Sequence, residues 1–551
     1  MNIDPACGCG NFLIITYREL RRLELEVLKM IIDSGSQMRN DLSLFLKVNV
    51  DQFYGIEVEE FPAQIAQVGM WLMDHQMNTI VAEYFGLYYA RLPLKQSATI
   101  VQGNALRIDW ESVVPKSKLS YILGNPPFIG FKYASPEQKN DLKLVFGEKK
   151  KIALLDYVSA WYRKSAEYIQ GTRTEVAFVS TNSIVQGTQV GDLWGLLLNN
   201  FNIRINFAHR TFKWNNEAKG KAAVHCVIVG FALFDRSEKI LFEYEDISGD
   251  PNPIIVKNIS PYLIDADDVI IRSRRRPLCD VPEMVMGNQA MDGGNLILEE
   301  DEYDAFLREE PLAEKYIKKY MMGKEFINKK NRYCLWLKDC PPEELRKMPR
   351  VLERVRKVQE IRANSNDKGA RRLSNSPTLF RESRNPSQFI AIPIVSSERR
   401  NYIPIGFLDN NTIVGNKLFM ICDANLYHFG VLTSNIHMSW MRAVGARFKS
   451  DYTYSKDIVY NNFPWPNPTS QQKETIEILA QNVLDVREGY ASSSLADLYD
   501  PLTMPLDLVK AHNNLDRAVV AAYGGKGFNS EAERVADLME RYQELVRINK
   551  K

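Results

Sequence analysis

The sequence predicts an α/β protein. Its first half is a parallel sheet flanked by helices; its second half is mixed α+β and ends in helices. Three observations carry this expectation. From residue 1 to about 245, short β-rich runs alternate with amphipathic stretches, the pattern of βαβ units. Around Asp250-Pro-Asn-Pro253 the character changes: Pro and Gly become frequent, strands shorten and a basic stretch follows. From Gln471 to the end the pattern is helical, with interruptions near Gly489 and between Pro501 and Pro505. A chain of 551 residues holds several domains of usual size, and the expected boundaries are 1–250, 251–466 and 467–551.

The elements follow in order. A glycine-rich turn, Asp4-Pro-Ala-Cys-Gly-Cys-Gly-Asn-Phe12, opens the chain, and Phe12 to Ile32 reads as a helix. Phe53-Tyr-Gly-Ile-Glu57 reads as a strand ending in an acid, and Phe61 to Met77 as a helix. Thr99-Ile-Val-Gln102 and Tyr121-Ile-Leu123 are strands running into polar turns. Ala153 to Ile169 reads as a helix and Glu175 to Val179 as a strand. Residues 203–207 and Val224 to Leu233 are closing, antiparallel strands. Val351 to Ile361 has helical periodicity. Ser374 to Ser387, rich in Ser, Asn, Pro and Arg, is expected to be an exposed loop that orders on a partner. Asn462-Phe-Pro-Trp-Pro466 must be extended, because proline fixes φ and restricts the residue before it.

Composition excludes several classes. Apolar residues make up 45% and charged residues 25%, as in ordinary globular proteins. No apolar run approaches the ~20 residues that cross a bilayer. Seven scattered cysteines give no disulfide framework, and a reducing cytoplasm is expected. Cys7-x-Cys9 and Cys334-x5-Cys340 lack zinc-site spacing, so no structural metal is expected. Net charge is only +2, but Arg346 to Arg400 holds 14 Lys or Arg against 5 Asp or Glu, and Arg272-Ser-Arg-Arg-Arg276 is a second cluster. Such surfaces neutralise phosphates and release counterions; part of the surplus, at Arg354, Arg356 and Lys357, equally fits a solvated helix face.

Two motifs carry chemistry. In the first turn, Gly8 and Gly10 remove side chains where a ligand must touch backbone. A third glycine, as in a dinucleotide fingerprint, is absent, because Leu13 holds its place. The turn therefore suits a nucleoside cofactor without a pyrophosphate, although a generic α/β turn remains open. Glu57 is placed to accept hydrogen bonds from ribose hydroxyls, and Asn104 to bond an adenine ring. The second motif is Asn125-Pro-Pro-Phe128. Its prolines stiffen the backbone and leave carbonyl acceptors, and Asn125 adds a side-chain oxygen. Two acceptors hold both hydrogens of an exocyclic amine and aim its lone pair, while Phe128 stacks on the base. A duplex base reaches such a pocket only by flipping out.

In this order and spacing, the motifs resemble the S-adenosylmethionine-dependent, N6-adenine-specific DNA methyltransferases of the gamma arrangement. Within that group the chain resembles the MmeI-like family, often fused restriction–modification enzymes. Asp4 to Phe12 is similar to the first cofactor motif, with Cys9 in place of the usual serine, a change expected to crowd the turn. Phe53 to Glu57 is similar to the acidic ribose motif, Gln102-Gly-Asn-Ala-Leu106 to the adenine-side motif, and Asn125 to Phe128 to the catalytic motif. Phe207-Ala-His-Arg-Thr-Phe-Lys-Trp214 resembles the late motif whose aromatic packs on the flipped base. Met286-Gly-Asn288, Asp292-Gly-Gly294, Gly323-Lys-Glu-Phe-Ile327 and Asn461 to Pro466 resemble that family's recognition domain and its exit.

The resemblance implies a Rossmann-like methyltransferase sheet, a mixed α+β target recognition domain and a helical C-terminal region. It implies that Asn125, Pro126, Pro127 and Phe128 are catalytic. The cofactor S-adenosylmethionine would meet Asp4, Ala6, Cys7, Gly8, Gly10, Asn11, Phe12, Glu57, Asn104 and Ala105. Phe212, then Trp214, would stack on the target base. Arg274, Arg275, Arg371, Arg372, Arg381 and Arg384 would contact double-stranded DNA. His209, Tyr157 and Trp161 are expected to be packing residues. Asp141 with Glu148-x-Lys150 is the nearest match to a nuclease carboxylate–lysine set, and is set aside as chance spacing. The methyltransferase is expected to be the C-terminal portion of a longer protein, or split from an N-terminal or separate nuclease partner. The alternatives are a fragment of a fused endonuclease–methyltransferase, a catalytically silent DNA-recognition subunit, and an enzyme methylating RNA or a protein glutamine.

Overall fold

A computed structural model describes residues 1–33, 46–85, 97–148, 155–214, 224–448, 450–525 and 527–549. Its internal contacts form two compact units, Met1–Ile271 and Arg272–Lys551. In the first, a nine-stranded sheet is built from β1 (Asn2–Asp4), β2 (Phe53–Glu57), β3 (Thr99–Gln102), β4 (Tyr121–Gly124), β5 (Glu175–Thr181), β6 (Arg204–Trp214), β7 (Val224–Ala232), β8 (Lys239–Glu243) and β9 (Asn252–Val256). Its strand order is β3-β2-β1-β4-β5-β7-β6-β8-β9. The first five strands pair in parallel, and β7 lies antiparallel to both β5 and β6. The expected strand set is thus present, with antiparallel closure. The sheet continues past residue 250, because β9 pairs with β8 after the Asp250-Pro-Asn-Pro253 segment. That change of composition marks a hairpin within the first unit.

Helices α1 (Asn11–Asp33) and α2 (Glu60–Phe85) connect β1 to β2 and β2 to β3, followed by α3 (Pro136–Phe146) and α4 (Ser159–Tyr168). α2 runs to Phe85 because apolar residues continue beyond Met77, with Met77 and Val81 buried. Of the expected helix from Ala153, the described part begins at Ser159; residues 149–154 lie outside the described residues. Tyr17, Phe53, Ala66, Met70 and Met77 form a core between α1, α2 and the sheet. A parallel sheet of this kind opens a crevice where strand order reverses, here beyond the C-terminal ends of β1 and β4.

The second unit is mixed α+β. One four-stranded sheet orders Met284–Met286, Leu418–Cys422, Gln388–Pro393 and Gly406–Asp409, all antiparallel. A second orders Ile297–Glu299, Arg332–Leu335, Ile317–Met321 and Thr412–Val414. The helix Pro349–Ala363 lays Val351, Val355 and Val358 against Leu298, Cys334 and Trp336 of this second layer. From Ser470 onward come the long helices Ser470–Glu488, Leu506–Ala522 and Glu531–Ile548. Among the described residues no helix is long and apolar enough to cross a membrane, and no cluster of His, Cys, Asp or Glu has the makings of a metal site.

Candidate active site

The crevice at the strand reversal holds a cavity of about 500 Å³, within the ~300–1,000 Å³ usual for small-molecule sites. Consecutive parallel strands deliver its wall. Pro5 and Ala6 follow β1, Glu57 to Glu59 follow Ile56 of β2, Gly103 to Ala105 follow β3, and Asn125 and Pro127 follow β4. Ser135, with Glu137, Gln138 and Asp141 of α3, Tyr157, and Trp161 of α4 complete it.

The glycine turn is held from three sides. Gly8 and Gly10 have φ of +54° and +84°, a backbone region that favours glycine. The Gly8 amide donates to Glu57 Oε2 at 2.8 Å, the Cys7 amide to Ile56 O at 3.1 Å, and the Gly10 amide to Cys7 O at 2.8 Å. A Cβ on Gly10 would lie 2.9 Å from that of Ala66, so this glycine also lets α2 approach. Of the expected cofactor residues, Ala6, Glu57, Asn104 and Ala105 line the cavity. Asp4, Cys7, Gly8 and Gly10 stand behind it as the frame of the turn. Asn11 and Phe12 belong to the first turn of α1 and are not part of the lining. Cys9 is exposed, so it turns outward and does not crowd the turn.

Asp4 is buried, 1% exposed, and one carboxylate oxygen accepts from the Ala6 amide at 3.0 Å while the other has no partner. Burial pushes its carboxyl up to about 7; the Ala6 amide opposes this and the nearby Glu57 charge adds to it. Between its ordinary 3.8 and about 7, the folded chain keeps a proton that the unfolded chain has lost. The group's contribution to stability is therefore greatest below pH ~4 and falls as pH rises toward ~7, by about 1.4 kcal/mol per unit. Denaturant titrations of wild type and Asp4→Asn across this window are expected to give a flatter pH profile for the variant; equal slopes would mean that Asp4 is ionised throughout. Asp4 also dictates its neighbour. A Cβ on Gly124 would meet Asp4 Oδ1 at 2.4 Å, so β4 must end in glycine immediately before Asn125.

Asn125 lines the wall, and its Oδ1 is buried and has no hydrogen-bond partner. Pro126 is buried and Pro127 exposed, while Phe128 is half-buried and not among the lining residues. The segment after the motif is clamped by Asp156, whose carboxylate accepts from the Ile129 amide at 3.0 Å while the Tyr157 amide donates to Ile129 O at 2.9 Å. Nothing in the local sequence around Asp156 signals this pairing across 27 positions.

One expectation changes with the structure, and the match set aside as chance spacing gains a different reading. Tyr157 and Trp161 do pack, edge to face at 5.2 Å, but they are also cavity wall, and Trp161 Nε1 donates to Pro5 O at 3.0 Å. Asp141 is not part of a nuclease-like set with Glu148. It is buried on the wall and takes bonds from Asn104, Arg107 and Tyr157, while Lys150 lies outside the described residues.

Phe212 and Trp214 sit at the end of β6 and are not part of the cavity lining. Phe212 stacks on Tyr244 with ring centroids 5.4 Å apart, and Trp214 tilts against Phe212 at 6.0 Å. His209 belongs to the same aromatic group, stacked on Phe242 at 4.0 Å and bonded through Nδ1 to the Tyr244 hydroxyl. Burial lowers its pKa to about 4, so it is a neutral packing residue at pH 7.

In the second unit the basic stretch divides. Arg362 is fully buried and its guanidinium donates to five carbonyls: Ala290, Met291, Leu373, Ser376 and Leu379. Arg354 donates to Asn295 O and Ile297 O. These two are structural. Arg371, Arg372, Arg381 and Arg384 are exposed. Arg371 donates to Ser365 O, Arg381 lies between Asp367 and Glu382, and Arg384 donates to Met286 O. Arg274 is half-buried and donates to Asn462 Oδ1 at 3.4 Å, whereas Arg275 is exposed. The Ser374–Ser387 loop is not loose: Phe380 is 2% exposed in the core beside Trp336, and Arg362 grips the loop's backbone.

Comparison with known proteins agrees with this architecture. Residues 1–243 match the family model "MmeI, DNA-methyltransferase domain", residues 265–467 "MmeI, target recognition domain" and residues 468–548 "MmeI, C-terminal domain". DNA methyltransferase A of Bacillus subtilis (strain 168) is 41% identical over 547 residues, which are 98% of this chain and 61% of that protein. The chain thus spans about three-fifths of that relative's length. The type IIL restriction–modification enzyme MmeI, solved in complex with DNA, superposes with a TM-score of 0.88 at 50% identity, covering 99% of this chain and 73% of that one. With its sheet, glycine turn and Asn-Pro-Pro segment arranged as above, this chain belongs to the MmeI family.

Proposed function

We propose that this chain is a site-specific DNA methyltransferase that transfers a methyl group from S-adenosylmethionine to the N6 amine of adenine, in a restriction–modification or phage-defence setting. The observation that carries this reading is Asn125, which lines the same cavity as Glu57 and Asn104 and whose Oδ1 is buried without a hydrogen-bond partner. A buried acceptor without a donor is costly, and an exocyclic amine would supply that donor.

The cavity fits the cofactor in kind. Glu57 offers carboxylate oxygens for ribose hydroxyls, Asn104 and Ala105 stand at the nucleoside end, and the Asp4–Gly10 turn brings backbone close to the remainder. When bound there, S-adenosylmethionine supplies an electrophilic methyl group. The chain's own part is positional. Asn125 Oδ1 and a carbonyl of the stiff proline pair accept the two amine hydrogens of the target adenine, keeping its nitrogen lone pair free and aimed. Phe128 stacks on the extruded base. No side chain forms a bond to the base, and His209 has no role as a base because it is stacked on Phe242 and is not part of the cavity lining.

For DNA, the exposed arginines Arg275, Arg371, Arg372, Arg381 and Arg384, with Arg274, support phosphate contact and reading of base edges. Residues 1–250 act as the catalytic domain, 251–466 as the target recognition domain and 467–551 as a helical C-terminal region. Phe212 and Trp214 would reach a base only by leaving their stack on Tyr244. A nuclease partner, joined or separate, fits the family, and the enzyme works with its DNA in the cytoplasm. The test is direct: purified protein, plasmid DNA and S-adenosylmethionine are incubated, and the nucleosides are analysed by mass spectrometry. N6-methyladenine at one sequence motif is the expected product; N4-methylcytosine or unmodified DNA overturns the assignment.

A further inference from the structure

The Asn104 carboxamide has its orientation imposed from both ends. Its Oδ1 accepts from the Leu106 amide at 2.9 Å, which a carboxamide nitrogen does not do, and its Nδ2 donates to Asp141 Oδ2 at 2.9 Å. Nδ2 also bonds to the Tyr157 hydroxyl, so the group offers N–H and no acceptor. Toward a ligand Asn104 is therefore a donor and complements a ring nitrogen, so it is badly suited to receive an exocyclic amine. A buried acceptor on the same wall is the next group in the chain of bonds; Glu137 lines the cavity too but is exposed. Asp141 is 3% exposed and lines the cavity. Its Oδ2 takes Asn104 Nδ2 and the Tyr157 hydroxyl, at 2.9 Å each, whereas its Oδ1 takes only Arg107 Nε, at 2.7 Å. A carboxylate has about four lone-pair sites, and the unfilled capacity lies on Oδ1.

A neighbouring donor and acceptor match the edge of adenine that pairs a ring nitrogen with the 6-amine. We propose that Asp141 is the residue that binds the 6-amino group of the cofactor's adenine, with Asn104 donating to the adjacent ring nitrogen, so that this pair selects adenosyl over inosyl or deaminated cofactors. This inference rests on the assignment of the cavity to S-adenosylmethionine. Arg107 and Tyr157 hold the carboxylate in place and are positioning residues.

The test is binding by titration calorimetry, without turnover. Three ligands are compared on the intact chain: S-adenosylhomocysteine, its inosine counterpart with a 6-oxo group, and its purine counterpart with hydrogen at that position. Losing a bond to a charged group is expected to weaken binding of both analogues at least about tenfold. Asp141→Asn is expected to weaken S-adenosylhomocysteine by a similar factor and bring the three affinities close together, whereas Tyr157→Phe keeps the ranking. Should Asp141→Asn fail to fold, Asp141→Glu serves, with the adenosyl preference reduced and the purine analogue unaffected. Equal binding of all three ligands by wild type, or an unchanged ranking in the Asp141 variants, overturns the proposal. Absence of binding by any of the three to wild type instead removes the cofactor assignment on which it stands.

Discussion

Asn125→Ala is expected to lower methyl transfer by about 10²-fold or more, the usual scale for removing one preorganised polar contact from a reacting group, while S-adenosylhomocysteine binds as to wild type. The separation follows from position. Asn125 follows β4, whereas the glycine turn follows β1, Glu57 ends β2 and Asn104 follows β3, and their bonds do not involve it. In the free protein the change is nearly neutral or slightly stabilising, because it removes an acceptor that has no donor. Single-turnover rates with a duplex containing the methylated motif, alongside cofactor calorimetry, check both halves. Full activity in the variant would remove Asn125 from the mechanism; loss of cofactor affinity would make it a binding residue instead.

Arg362→Met is expected to cost on the order of 3–5 kcal/mol of folding stability, because it leaves several buried carbonyls without donors at once. The five carbonyls come from two separate stretches, 290–291 and 373–379, so one side chain ties the start of the recognition region to the loop that carries its arginines. Lysine keeps the charge but not the planar fork of five donors, and is expected to recover only part of the loss. Hydrogen exchange is expected to rise across residues 373–380, and DNA affinity to fall, since Arg371, Arg372, Arg381 and Arg384 stand on or beside that loop. Cofactor affinity, set in the first unit, is expected to stay unchanged. Wild-type exchange in the variant's loop would show that Arg362 is dispensable there.

The strands of the first sheet were legible because each is a short β-branched or aromatic run ending in a polar turn: Phe53–Glu57 and Thr99–Gln102 have the expected bounds. The wall residues at the ends of these strands and of Tyr121–Gly124, namely Glu57, Asn104 and Asn125, were legible for the same reason, since the end of a parallel strand is a predictable place. Asp141 and Asp156 were not, because their partners lie 16 to 37 and 27 positions away and their helices and loops carry no local mark of them. Charge counting placed Arg362 in a basic surplus although it is wholly buried. Periodicity held the missed clue: residue 362 continues the inward stripe of Val351, Val355 and Val358. Phe212 and Trp214 were matched along the chain by motif alone, and the fold adds that their rings pack on Tyr244 and on each other.

The contact between Gly124 and Asp4 has a consequence for how such an enzyme diversifies. A methyl group at position 124 would collide with the acid that shapes the donor's turn, so the two motifs cannot drift separately at that point. Any lineage, or any mutant library, that explores new acceptor chemistry must begin one step later, at 125, and inherit both the glycine and the aspartate as a single unit.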